Sequence, residues 1–171
     1  MCSVPHPDAS FDAVVVSKLF QHVQNWQKAC RELVRIAKPG TCIVQINEKG
    51  AFSNSVRRYF SGRADDLGFN ARFLGINPHA NENITSFMVS LGCEVTSPDM
   101  SDLRWRADIS YGEALGWLKD RLFAEFWYLP PPVHDQLLEE TTEWVERQSS
   151  GPQTMEHLTP YLVVDTFRTP A

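Results

Sequence analysis

The run from Phe11 to Val16 (FDAVVV) is short, β-branched and almost continuously apolar, the pattern of a strand buried on both faces of a parallel sheet. After it, Ala29, Cys30, Leu33, Ile36 and Ala37 recur at three- and four-residue intervals, which puts them on one face of a helix. Asn25 offers an N-cap side chain before Trp26, and Pro39-Gly40 supplies a stop. Residues 41–46 (TCIVQI) return to β-branched composition, so the first 47 residues predict strand, helix, strand, a right-handed βαβ unit.

Beyond this unit the pattern is less regular. Residues 53–60 predict a short helix, and Gly62, Gly68, Gly75 and Pro78 punctuate the rest of 48–81 as loop or lid. A helix is expected over 82–91, with Ile84, Phe87, Met88 and Leu91 on one face and Gly92 just past its end, followed by a strand at 93–96. Ser110 and Glu113 have capping-box spacing, which predicts a helix from Tyr111 to about Trp127, ended by the prolines 130–132. Another helix over 133–148, a Ser-Ser-Gly-Pro turn and a last strand at 161–167 (YLVVDTF) complete an α/β chain. The expected organisation is one domain: a βαβ core over 1–47, a lid or connector over 48–92, and helices with the last strand over 93–171.

Composition narrows the function classes. The 171 residues are 43% hydrophobic and 22% charged, ordinary values for one globular domain. A net charge of −5 and the lack of any basic run argue against a nucleic-acid partner, because such binding rests on many Lys and Arg contacts to phosphates. The longest apolar stretch, residues 13–16, falls far short of the roughly 20 residues a membrane span needs. Pro5, Pro7, Asp8 and Asp12 also interrupt any apolar leader, so the expected location is the cytoplasm, with no membrane partner. Cys2, Cys30, Cys42 and Cys93 are widely spaced and read as reduced thiols. His79, His134 and His157 share no metal-ligand spacing, so no metal is expected.

The loop Val4-Pro5-His6-Pro7-Asp8-Ala9-Ser10-Phe11-Asp12, the segment Gln21-His22-Val23, and Glu32, Arg35, Lys38, Pro39 and Gly40 together resemble the second half of a class I S-adenosylmethionine-dependent methyltransferase of the small-molecule, type 11 kind. In that family such a loop leads into the fourth strand, and a helix ending in this Glu-Arg-Lys-Pro-Gly pattern precedes the fifth. The resemblance implies a partial Rossmann-like sheet, strands four to seven, with flanking helices and a helical lid, in an N-terminally truncated chain that keeps only the C-terminal half. It implies S-adenosylmethionine as cofactor, with Ser17 and Lys18 beside its methionine part, and a small organic molecule as methyl acceptor. The family's Gly-rich turn has no counterpart, since none of the nine glycines forms a GxGxG.

The expected function is therefore a methyltransferase-like protein that acts on or binds a small organic molecule and methylates only when the missing half is supplied. Two alternatives stand beside it: a cofactor-free isomerase, cyclase or binding protein, and a non-catalytic partner subunit of an intact methyltransferase. On the resemblance the strand at 11–16 is left with an open edge, which a second copy or a complementing methyltransferase chain is expected to cover.

His22 is the catalytic candidate. It follows the first predicted strand, at the end where open α/β sheets place their ligands, and an imidazole there serves as a general base or a substrate hydrogen-bond partner. The alternative is a histidine packed under the loop. Among the aromatic residues, Trp117 and Phe123 read as packing, and Tyr59, Phe60 and Trp105 as substrate-pocket candidates. The mixed-sign run Asp99, Asp102, Arg104, Arg106 and Asp108 reads as solvated surface with ion pairs.

Overall fold

In the computed structural model, which describes residues 4–77, 82–100 and 102–171, strand β1 (Phe11–Ser17) and strand β2 (Ala37–Lys49) pair in parallel and are joined by helix α1 (Trp26–Ile36). The predicted cap forms: Asn25 Oδ1 accepts the Lys28 amide at 3.1 Å, and α1 buries Cys30, Leu33 and Ile36. Pro39-Gly40, expected to separate helix from strand, lies inside β2. Between two paired positions β1 advances from Phe11 to Ala13 while β2 advances from Ala37 to Cys42, so the intervening residues bulge outward, with Gly40 at φ +71°.

The chain divides into two compact units. The first comprises residues 1–48, 73–103 and 162–171. Its four-stranded sheet has the order β1-β2-β6-β3, with β6 (Tyr161–Arg168) between β2 and β3 (Glu94–Thr96) and antiparallel to β3. Helix α3 (Glu82–Ser90) forms where its apolar spacing puts it and turns out through Gly92 at φ +85°. Trp26 of α1 meets Phe87 of α3 edge-on at 5.4 Å, and Val16, Phe20, Cys30, Leu33, Ile43, Met88 and Phe167 are among the side chains of this core. Contrary to expectation, β1 is not buried on both faces. It is the end strand of the sheet among the described residues, Val16 points into the core, and Val15 is 65% exposed.

The second unit, residues 49–72 and 104–161, is mostly helical. Helix α2 (Ser55–Asp66) runs longer than predicted because Val56, Phe60 and Ala64 continue one buried stripe at four-residue spacing, behind an Asn54 cap that accepts the Arg57 amide at 2.8 Å. Helix α4 (Tyr111–Lys119) carries the predicted Ser110–Glu113 capping box. It stops well before Trp127 because Arg121 takes a left-handed φ of +54°, which turns the chain into a short 3-10 helix, Ala124–Phe126. The prolines that were expected to end it instead open helix α5 (Pro131–Glu146), where the missing amide costs nothing. Strands β4 (Ala107–Ser110) and β5 (Met155–Leu158) form an antiparallel pair that the sequence pattern does not mark.

His134 is buried on α5, tilted against Phe60 of α2 at 5.5 Å and hydrogen-bonded to the Leu118 carbonyl of α4. Burial, then the nearby Arg121 charge, hold its basicity below the usual histidine value, only partly offset by the Leu118 carbonyl and Asp135. The unfolded chain therefore binds a proton more readily than the folded one. Stability contributed by neutral His134 is complete above the unfolded value of about 6.5 and is lost as pH falls below it. Urea unfolding between pH 7.5 and 5 should show this loss, and His134→Gln should flatten the slope; an unchanged slope in that variant would exclude His134 as its source.

Candidate functional site

The residues of the N-terminal motif hold one another in place. Arg35 donates to the carbonyls of His6 (2.9 Å) and Val4 (3.1 Å), to Asp8 (2.7 Å) and to Glu32 (2.8 Å). Glu32 in turn accepts the Val4 amide at 3.2 Å, and Lys38 pairs with Asp12 at 2.6 Å. The Arg35 hydrogen bond, followed by the Val4 amide, keeps the Glu32 carboxyl below its ordinary range. The Glu and Arg of the motif thus clamp the loop that feeds β1 onto α1, and its Lys ties β2 to Asp12 of β1.

At its other end β1 stops at Ser17. Ser17 is exposed and sits beside Ile46 in the parallel register, and the Lys18 amide donates to the Ile46 carbonyl at 3.2 Å. Lys18 takes φ +47°, a left-handed backbone that a non-glycine residue adopts at a cost, and its ammonium pairs with Glu48 at the end of β2. His22 ends a short 3-10 helix, Phe20–His22, is exposed, and donates its amide to the Leu19 carbonyl at 2.9 Å. Ser17, Lys18 and His22 therefore gather at the C-terminal ends of the parallel strands, the side of an α/β sheet where ligands bind.

The segment leading to α3 closes over the same loop. Gly75 donates to the Gln21 carbonyl at 2.9 Å and Ile76 to the Phe20 carbonyl at 3.1 Å. The backbones approach so closely that a Cβ on Gly75 would lie 2.9 Å from the Val23 carbonyl carbon and nearer still to the Phe20 and Val23 oxygens.

The aromatic candidates lie in the second unit. Tyr59 stacks on Trp144 at 4.8 Å, with Tyr111 on the same indole at 5.6 Å, and Trp105 is exposed with its amide donated to the Pro160 carbonyl at 3.1 Å. Phe60 is fully buried against Phe126 and His134, so packing, not ligand contact, is its role in this structure. Trp117 and Phe123 pack as expected, with Phe52 edge-on to both at 5.1 and 5.8 Å. In the charged run, Arg106 pairs with Asp108 at 2.7 Å, and Asp108 accepts from His157 at 2.5 Å across the β4–β5 pair, on the surface. His79 and Cys2 lie outside the described residues. Cys30, Cys42 and Cys93 are free thiols, and burial pushes that of Cys30 up to about 12, which makes it a poor nucleophile. Among the described residues no group of three His, Cys, Asp or Glu could hold a metal, and no helix is long and apolar enough to cross a membrane.

The sequence pattern did not mark Gln45, Asn47 and Glu48 at the end of β2. Their strand reads as an apolar run, and only the fold sets Gln45 beside Val16 in the parallel register and Glu48 against Lys18, with Asn47 between them in the strand.

A family model described as a methyltransferase domain matches residues 1–44. Demethylmenaquinone methyltransferase of Thermus thermophilus is 37% identical over 70 residues, which span 39% of this chain and 32% of that protein. Norajmaline N-methyltransferase of Rauvolfia serpentina is 38% identical over 45 residues, 26% of this chain and 15% of the relative. The matched segments thus span a third or less of these curated relatives. Among solved structures, YcgJ of Bacillus subtilis has a TM-score of 0.53 at 15% identity, covering 99% of this chain and 68% of its own. A protein of Anaeromyxobacter dehalogenans assigned as a type II methyltransferase has a TM-score of 0.57 at 14% identity, covering 97% of this chain and 68% of its own. The fold is a mixed α/β fold resembling the Rossmann-like class I methyltransferases. The expectation of an N-terminally truncated chain that keeps only a C-terminal half is corrected by these findings: the methyltransferase-domain match falls on residues 1–44, the N-terminal part of this chain.

Proposed function

We propose that this chain is a methyltransferase-like protein that binds a small organic molecule at the C-terminal ends of β1 and β2, with Ser17 and Lys18 on the cofactor side and His22 as the hydrogen-bonding or proton-accepting group. The observation that carries the reading is the convergence of Ser17, Lys18 and His22 at that end of the parallel pair, inside the segment matched by the methyltransferase-domain model.

The residues present do not fit the whole of S-adenosylmethionine. The family's Gly-rich turn has no counterpart in this sequence, and Gly75, which approaches the turn after β1, has its Cβ space filled by the backbone of Phe20 and Val23. Calorimetry on the purified chain is expected to give a dissociation constant of about 1 mM or weaker for S-adenosylmethionine. Saturable micromolar binding would defeat this part of the reading. For His22→Ala, ligand binding or turnover should be lost while stability changes by less than about 1 kcal/mol, since the side chain is exposed. A large fall in melting temperature with binding intact would assign His22 to packing.

The edge of β1, unpaired among the described residues, supports a further proposal, a homodimer in which two copies pair along residues 11–16. Ala13 and Val15 are exposed there, and the strand has neither proline nor lysine to discourage pairing. Sedimentation should show a dimer that Val15→Lys dissociates; a wild-type monomer at tens of micromolar rules the edge out.

A further inference from the structure

Two amide side chains at the end of β2 are placed against their own solvation. Gln45 is only 3% exposed, and its Oε1 has no hydrogen-bond partner among the described residues. Asn47, two positions on and so on the same face of the strand, has a buried Nδ2 without a partner among the described residues. Ile43 precedes them on that face and is buried in the core, so an apolar side chain would suit the face well. Burying an amide without its hydrogen bond costs about 1–3 kcal/mol, and two such groups in succession at the ligand-binding end of a parallel sheet call for a molecule that satisfies them.

We propose that Gln45 and Asn47 form a polar subsite for the organic ligand, and that this ligand is neutral and carries a hydroxyl or carboxamide group. The proposal rests on the strand-end reading given above and names the ligand chemistry. Gln45 Oε1 asks for a donor and Asn47 Nδ2 for an acceptor. Turning both amides over exchanges these roles and leaves the requirement the same, one donor and one acceptor. A carboxylate or phosphate offers acceptors only at neutral pH and calls for a cation. Of the two ammonium groups at this end of the sheet, that of Lys18 is already matched by Glu48, and Lys49, the last residue of β2, is not free either. Hydroxyls and carboxamides supply both a donor and an acceptor without charge.

The test uses the full chain with benzamide as the neutral probe and benzoate as its charged counterpart of the same shape. Side-chain NH2 signals of Gln45 and Asn47, identified by their loss in Gln45→Met and Asn47→Leu, are followed by 15N-edited NMR. Benzamide is expected to move both signals saturably, with benzoate binding at least about tenfold more weakly, and Gln45→Met weakening benzamide by about tenfold while melting at or above the wild-type temperature. Three results would overturn the proposal: signals that benzamide leaves unmoved, benzamide affinity unchanged in both variants, or a long-lived water on the two amides that benzamide does not displace. A marked fall in melting temperature in both variants also overturns it, since the amides would then serve the fold. His22→Ala in the same titration separates the two readings. If it binds benzamide as wild type while Gln45→Met does not, the role given to His22 fails and the subsite stands; the opposite pattern removes the subsite alone.

Discussion

Gly75→Ala is expected to destabilise the first unit by about 3 kcal/mol, one of the largest effects of any single methyl group in this chain. The added Cβ would fall 2.9 Å from the Val23 carbonyl carbon and closer to two carbonyl oxygens, all of them backbone, so no side chain can rotate away. Relief requires residues 73–77 to lift off the loop at 20–23, with loss of the Gly75 and Ile76 amide hydrogen bonds to Gln21 and Phe20. Gly62 of α2 and Gly116 of α4 provide the control, because a Cβ at either meets nothing within 4 Å. Alanine at those helical positions should stabilise the protein by about 0.5–1 kcal/mol. Urea denaturation of the three variants checks the contrast, and a Gly75→Ala protein as stable as wild type would show that the 73–77 segment does not dock as described.

Arg57→Met is expected to cost about 3 kcal/mol at neutral pH, because it strands a carboxylate in the core of the helical unit. Glu125 is 5% exposed and forms an ion pair with Arg57, whose guanidinium also donates to the Phe52 carbonyl at 3.2 Å and lies 4.6 Å from the centre of the Phe123 ring. The pair ties α2 to the 3-10 helix that follows α4. Removing both partners, as in Arg57→Met with Glu125→Met, should recover most of the loss, since two apolar side chains need no compensation in a dry core. A double variant no more stable than Arg57→Met would mean that the ring stacking and the Phe52 contact, not the stranded charge, set the cost.

The βαβ unit was legible in the sequence because each of its signals is local. The apolar spacing of Ala29 to Ile36, the Asn25 cap and the β-branched runs on either side all appear where they act. The capping box at Ser110 and the apolar face of α3 were legible for the same reason. What escaped was set by contacts between distant residues. Arg121 ends α4 in a left-handed conformation that usually takes glycine, so nothing in the residue type announces the stop. The β4–β5 pair joins residues almost fifty positions apart, and Pro39-Gly40, an ordinary helix stop, became a bulge because β1 holds the register on both sides of it. For the candidate site, His22 is proposed from its place after an apolar strand, and Ser17 and Lys18 from the family resemblance alone. Gln45 and Asn47 could not, because a polar residue in a strand reads as surface until the fold buries it. Phe60 shows the converse, an aromatic residue read as a pocket ring that four-residue spacing with Val56 and Ala64 commits to the core.

The central claim, that the C-terminal ends of β1 and β2 form the ligand site, is tested most directly by backbone amide shift mapping of the full chain against S-adenosylmethionine at up to about 10 mM. The account predicts a weak, saturable response confined to residues 17–22 and 45–48. Shifts centred on Tyr59 and Trp105 with the strand ends silent, or a micromolar response spread beyond those two segments, would contradict it.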